Sequence, residues 1–103
     1  MEIIIKNVIK SDFASDNEQG DLIYNEVESA IKKNVDEVYL DFRELKLITT
    51  AFLNNAIGKL YKKYTRDELK DFLKVKNIED SYDLELLRLV VINAIQMSNA
   101  NVS

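Results

Sequence analysis

The sequence predicts an α/β domain with a small, mainly parallel sheet, and three observations support that prediction. Apolar runs rich in strand-forming residues occur at 2–9, 38–42 and 72–76. Patterns with helical spacing follow each of these runs. The resulting order of strand–helix–strand–helix–strand–helix (βαβαβα) is typical of parallel strands joined by right-handed crossovers.

The composition is that of one globular domain. The chain has 103 residues, of which 47% are hydrophobic and 31% are charged, so we expect one modest core rather than general disorder. We expect residues 1–103 to form a single domain, with residues 98–103 as a frayed polar tail. Because no signal peptide or membrane span is recognisable, we expect a cytoplasmic protein without membrane contact.

The residue types that are missing restrict the chemistry. The chain has no cysteine and no histidine, which removes disulfides, thiolate metal sites, the commonest general base and the commonest metal ligand. We therefore expect a protein that is not an enzyme and that needs no metal or cofactor. The net charge of −4 also argues against binding nucleic acid, which requires clustered positive charge.

The first strand is expected over Glu2–Ile9, with apolar residues on both faces, as in a strand covered by helices. A polar loop is expected to follow. The first helix begins either at Ser15, which forms a capping-box pattern with Glu18, or at Asp21, since Gly20 weakens the earlier start.

From Leu22 onward the helical pattern is clear. Its apolar positions recur at helical spacing and share one face: Ile23, Val27, Ala30 and Ile31. Glu28 and Lys32 lie off that face at a spacing of four residues, so we expect them to pair in solvent.

The second strand, Val38–Phe42, is expected at the buried centre of the sheet. The apolar residues within 45–48 then lie in a loop that closes the end of the core. Thr49 or Thr50 is expected to cap a second helix that extends to Tyr64. Inside this helix, Gly58 indicates close packing against a neighbouring backbone.

The last third of the chain contains a short helix, a strand and a long helix. Thr65 and Glu68 form a second capping-box pattern. Phe72–Lys76 alternates like an edge strand whose lysines discourage further pairing. Asp80 or Ser81 caps the last helix, which has a wide apolar surface. Because three strands make a small sheet, we expect a partner to complete an edge or a helix face, and a second copy in a homodimer is one candidate.

Candidate site residues follow from the predicted topology, because ligands of a parallel sheet gather beyond the carboxyl ends of its strands. Asp41 ends the second strand, Asn77 follows the third, Thr49 and Thr50 open the second helix, and Asn54 lies one turn inside it. In the simplest interpretation the threonines are caps and Asp41 accepts hydrogen bonds from loop amides. In the alternative, one hydroxyl accepts a phosphoryl group.

The stretch from Asp41 to Leu53 resembles the turn of the STAS domains, the family of sulphate-transporter tails and bacterial anti-anti-sigma factors. Those domains have a strand that ends in Asp, a short hydrophobic loop and an Asp-Ser-Ser-Gly-Leu turn that opens a helix. Here Thr49-Thr50-Ala51-Phe52-Leu53 stands at the position of that turn. Together with Leu73-Lys74-Val75-Lys76-Asn77, it is similar to a STAS-like family of unknown function found in bacteria and phages.

The resemblance implies a regulatory, protein–protein interaction module. In anti-anti-sigma factors the first serine of the turn is phosphorylated by a kinase of the GHKL ATPase type, which breaks partner binding. That position is Thr50 here, so the resemblance implies Thr50 as phosphoacceptor and a GHKL-type ATPase or kinase as partner. Asp41, Thr49, Asn54 and Asn77 would surround the binding surface.

Two other hypotheses stay open on the sequence. The first is a small-ligand or nucleotide sensor that uses the same carboxyl ends of the strands. The second is an accessory protein of a phage or mobile element that blocks a host factor.

Overall fold

The structure is a computed structural model that describes the backbone of residues 1–100 and the side chains of residues 1–98. The strands are β1 (Glu2–Ile4), β2 (Phe13–Ala14), β3 (Val38–Asp41), β4 (Leu47–Ile48) and β5 (Leu73–Lys76). The α-helices are α1 (Ile5–Ile9), α2 (Asn17–Lys32), α3 (Thr50–Ala56), α4 (Arg66–Phe72) and α5 (Ser81–Ala100). A 3-10 helix spans Gly58–Lys62.

The strands form two parallel sheets. The larger has the order β1-β3-β5, so β3 is central and β5 is an edge. The smaller pairs β2 with β4, with Phe13 opposite Leu47 and Ala14 opposite Ile48. This arrangement confirms the predicted α/β class with a mainly parallel sheet, and it confirms β5 as an edge strand.

The two faces of the larger sheet differ. Val38 and Leu40 of β3 are fully buried beneath the helices, among Ile23, Phe52 and other core residues. Most side chains on the opposite face are polar: the Lys76 ammonium lies 2.7 Å from Glu2 and 5.6 Å from the centre of the Tyr39 ring. Helices therefore bury one face of this sheet, whereas the other carries charged side chains.

The first strand is shorter than predicted. It ends at Ile4, and Ile5–Ile9 forms α1, which stops at Lys10 in the left-handed conformation with φ 57°. Ile5 and Ile9 are both buried, and their spacing of four residues places them on one helical face. The β-branched run therefore satisfied a helical period as well as a strand pattern, and burial favoured the helix.

The start of α2 lies between the two predicted positions. Asp16 is the N-cap: its carboxylate accepts a hydrogen bond from the Gln19 amide at 2.8 Å, and the Gln19 side chain accepts one from the Asp16 amide at 3.2 Å. This is a capping box displaced by one residue from the predicted Ser15–Glu18 pattern. At α4, by contrast, the predicted box between Thr65 and Glu68 is present.

The glycine that permits a close helix approach is Gly20, not Gly58. A Cβ at Gly20 would lie 2.6 Å from the Phe52 carbonyl oxygen and 2.8 Å from Asn55 Cβ, so α2 and α3 cross there with no room for a side chain. At Gly58 the nearest neighbour, Val90, would be at an ordinary 3.6 Å. The helix predicted to reach Tyr64 is interrupted near Gly58, where α3 gives way to the 3-10 helix.

The last helix, α5, extends to Ala100, and the Ser98 hydroxyl donates a hydrogen bond to the Tyr61 carbonyl oxygen at 2.6 Å. The remainder of the predicted tail, 101–103, lies outside the described residues. Over the part of the chain that is described, no helix has the length and apolar character needed to cross a membrane.

Candidate functional site

Asp41 and Asn77 meet at the carboxyl ends of β3 and β5. Asp41 is fully buried and accepts hydrogen bonds from the Arg43 backbone amide at 2.9 Å, the Arg43 Nε at 2.8 Å and the Asn77 side-chain amide at 2.9 Å. The Arg43 Nη2 also contacts the second oxygen of the carboxylate. The loop-amide bond expected for Asp41 is therefore present, and both of its oxygens are occupied.

The charge of Asp41 is strongly stabilised in the folded protein. Hydrogen bonds from the Arg43 guanidinium outweigh the cost of burial, and with the Asn77 amide they lower the pKa of Asp41 to about 2. Asn77 adopts a left-handed conformation with φ 63°, which turns the chain as it leaves β5. The Asp41–Arg43–Asn77 cluster thus ties two strand ends together through an ionised carboxylate.

The two threonines before α3 lie in different environments. The Thr49 hydroxyl accepts a hydrogen bond from the Phe52 amide at 3.3 Å and donates one to the Ser15 carbonyl oxygen at 2.8 Å. Thr49 is thus the N-cap, and it also fastens α3 to the segment before α2. Thr50 is the first residue of α3 and is exposed, so its hydroxyl faces solvent.

An apolar pair precedes this turn. Phe13 and Leu47 are opposite one another in the small sheet, and their exposed fractions are 51% and 46%. Their neighbours Ala14 and Ile48 face the core. The segments 13–14 and 47–48 contain only apolar residues and are too short for an alternating pattern to identify them as strands in the sequence. We call Phe13, Leu47 and Thr50 the turn surface.

Phe52 does not contribute to the turn surface. Its side chain is fully buried, because it points into the core from the inner side of α3. The bulky residue that replaces a small one in the STAS-type turn therefore leaves the outer side of the turn open around Thr50.

Asn54 lies apart from the other predicted site residues. It is exposed and lines a cavity of about 300 Å³ between α3, the 3-10 helix and α5, together with Asn55, Lys59 and Asn93. The five predicted site residues therefore occupy three places: Asp41 with Asn77, Thr49 with Thr50, and Asn54 by itself.

A second carboxylate, Glu28, is buried although the sequence pattern did not predict it. It is 6% exposed and accepts hydrogen bonds from the Tyr24 hydroxyl at 2.7 Å, the Lys63 ammonium at 2.9 Å and the Tyr64 hydroxyl at 2.7 Å. These donors, with that of Lys63 contributing most, lower the pKa of Glu28 to about 2. The prediction that Glu28 pairs with Lys32 in solvent was wrong, because the donors come largely from a segment 35 residues later.

A second polar contact continues this seam between α2 and the following helices. The Lys59 ammonium lies 2.6 Å from the Asp21 carboxylate and 5.0 Å from the centre of the Tyr24 ring, and the Asn55 side chain donates to Asp21 at 3.0 Å. Through these contacts, Lys59 and Lys63 hold α2 and the following helices together.

Comparison with known proteins identifies a family. The family model described as a STAS-like domain of unknown function (DUF4325) matches residues 19–83, well over half of the chain. The matched region includes most of α2, the turn surface residues Leu47 and Thr50, and β5. No curated protein and no solved structure matches the chain.

Proposed function

Because the chain belongs to the STAS-like domain family of unknown function, we propose that it is a non-enzymatic regulatory module that binds a protein partner through the turn surface. The observation that carries the proposal is the contrast at the start of α3. Thr49 is engaged in two hydrogen bonds, whereas the neighbouring Thr50 presents its hydroxyl to solvent.

The turn surface combines exposed apolar side chains with an exposed threonine. Phe13 supplies a half-exposed aromatic ring, and aromatic residues commonly anchor protein interfaces. Leu47 lies beside it across the small sheet and is joined to Thr50 by only two residues. The apolar pair therefore lies close in the chain to an exposed residue with a hydroxyl group.

Phosphorylation of Thr50 would change this surface in a defined way. The phosphate would add about two negative charges at neutral pH beside the apolar pair. Desolvating that charge against a partner would oppose binding. We therefore propose Thr50 as the switch position and a kinase or ATPase of the GHKL type as a partner in its control.

The buried carboxylates support a role other than catalysis. A general base works best with a pKa near the working pH, whereas the pKa values of Asp41 and Glu28 are both about 2. Both carboxylates are also saturated with hydrogen bonds from neighbouring side chains. Their geometry suits stabilisation of the fold.

The test is affinity capture from the native host with variants of the turn surface. We expect the wild-type protein to retain a specific partner, and Phe13→Ser with Leu47→Ser to lose it. Leu22→Ser is the matched control, because Leu22 is 47% exposed on α2 and outside the turn surface. Capture that tolerates the Phe13 and Leu47 changes, or that fails with and without ATP, would contradict the proposal.

The switch is tested separately on the same captured partner. We expect Thr50→Glu to weaken the complex and Thr50→Ala to leave it intact, because only the first change adds charge. Equal affinities for the two variants would remove Thr50 from the switch while leaving the binding surface in place.

A further inference from the structure

A cavity of about 490 Å³ lies where the 3-10 helix, the start of α4 and the last turns of α5 meet. The hydrogen bond from Ser98 to the Tyr61 carbonyl oxygen joins two of its walls. The volume falls within the range of about 300–1,000 Å³ that is common for small-molecule sites. Residues on its walls include Tyr61, Lys62, Tyr64, Arg66 and Ile95.

The cavity lies in the most basic part of an acidic chain. The segment 59–76 contains seven of the 14 basic residues and only three acidic ones, whereas the whole chain has net charge −4. Lys59, Lys63 and Lys76 are neutralised by carboxylates. Among the residues with described side chains, Lys62 and Arg66 form no ion pair, and both line the cavity.

One carboxylate, that of Asp67, also lines the cavity. Since Lys63 is already committed to Glu28, the positive charge left for a ligand comes from Lys62 and Arg66. Arginine and lysine together bind phosphate well, because guanidinium donates two parallel hydrogen bonds and ammonium adds a compact charge. The wall therefore suits an anion with several oxygen atoms.

Two tyrosines supply the other part of the wall. Tyr61 is half-buried and lines the cavity together with Arg66. Tyr64 is held by its hydroxyl, which donates to Glu28 at 2.7 Å. A ring fixed in this way loses little conformational entropy when a planar group stacks on it.

We propose that this cavity binds a mononucleotide, with its phosphates on Lys62 and Arg66 and its base against Tyr61 and Tyr64. Any of the bases can stack on an aromatic side chain, so the site binds nucleotides as a class and does not select one base. This site is separate from the turn surface and from the strand ends, and it does not depend on the proposed partner.

The test is isothermal titration of the full chain with ATP, ADP, GTP and inorganic pyrophosphate. We expect saturable binding of the nucleotides, weakened about tenfold or more by Lys62→Gln or Arg66→Gln, because each change removes a charge-assisted hydrogen bond. Lys33→Gln and Arg88→Gln are matched controls, because both residues are exposed and outside the cavity walls. We expect them to bind as the wild type does.

Three results would overturn the proposal. The first is the absence of saturable binding for every nucleotide. The second is an equal loss in the control variants, which would indicate attraction to basic charge in general. The third is pyrophosphate binding as tight as that of the nucleotides, which would exclude a contribution from the base. Because Lys62 and Arg66 are exposed, unchanged thermal unfolding of their variants should confirm that the fold is intact.

Discussion

Asp41 and Glu28 are both buried carboxylates with a pKa of about 2, yet only Asp41 could be identified from the sequence. Asp41 takes most of its hydrogen bonds from Arg43, two residues away, at a strand end where such a carboxylate is expected. Two of the three donors to Glu28 come from Lys63 and Tyr64, far along the chain. A sequence pattern therefore reveals a buried charge when its partners are local.

The largest effect is expected from removing Glu28. Glu28→Ala leaves the hydroxyls of Tyr24 and Tyr64 and the Lys63 ammonium without their shared acceptor, which should lower the free energy of unfolding by about 3 kcal/mol. Urea unfolding measures the change. Glu26→Ala, on the exposed side of the same helix, should stay within about 0.5 kcal/mol of the wild type. Similar losses of free energy of unfolding in both variants would show that the hydrogen bonds to Glu28 do not stabilise the fold.

The pH dependence of stability should separate the two carboxylates. Since folding lowers the pKa of Glu28 from 4.5 and of Asp41 from 3.8, each to about 2, the stability they provide is complete above about pH 5 and is lost as the pH falls towards 2. The pKa of Glu28 is lowered more than that of Asp41. Glu28→Gln should therefore reduce the acid-induced loss by about 2 kcal/mol, and Asp41→Asn by less.

Unfolding curves recorded between pH 2.5 and pH 6 would measure these slopes. If the free energy of unfolding varied less with pH in Asp41→Asn than in Glu28→Gln, Asp41 and not Glu28 would contribute more to the acid-induced loss of stability.

Asp41→Asn should cost about 2 kcal/mol, because the substitution keeps the size of the side chain but removes the charge that faces Arg43. Arg43 is partly exposed and can be solvated, so the loss should be smaller than at Glu28. Asp36→Asn serves as the control, since Asp36 is exposed just before the same strand. Chemical denaturation that shows no difference between the two variants would contradict a stabilising role for the Asp41–Arg43–Asn77 cluster.

The smallest effects on stability are expected at Thr49 and Thr50. These neighbours allow local and distant hydrogen-bond partners to be compared at the start of one helix. Thr49→Ala removes both the cap and the bond to Ser15 and should cost about 1 kcal/mol. Thr50→Ala should change the free energy of unfolding by less than about 0.5 kcal/mol, because Thr50 is exposed. Thermal unfolding of the two variants checks this order. A greater loss at Thr50 would mean that its hydroxyl is part of the fold.

The sequence was a good guide to elements whose determinants are local. The parallel α/β class, the box at Thr65 and the edge strand β5 were all predicted from short patterns and are present. The cap of α3 was predicted at Thr49 or Thr50, and it is Thr49. The helix in Ile5–Ile9 was not, because β-branched residues at that spacing fit both strand and helix. Only tertiary burial of Ile5 and Ile9 distinguishes the two.

The candidate site was predicted in part for the same reason. The sequence predicts parallel strands with Asp41 and Asn77 at their carboxyl ends, and the two side chains are hydrogen-bonded in the structure. The exposed pair of Phe13 and Leu47 depends on a two-residue pairing between distant segments. Such a pairing leaves almost no trace in the local sequence, since each strand is too short to show alternation.

The absence of a side chain at Gly20 has a consequence for recognition. Because α2 and α3 approach each other at Gly20 without room for a side chain, and Thr49 joins the start of α3 to the segment before α2, the helix start that carries Thr50 is attached to α2 at two points. A partner would then meet a surface that is already ordered, and little of the binding free energy would be spent on immobilising it. The buried Gly20 would in this way help to set the affinity of the proposed complex.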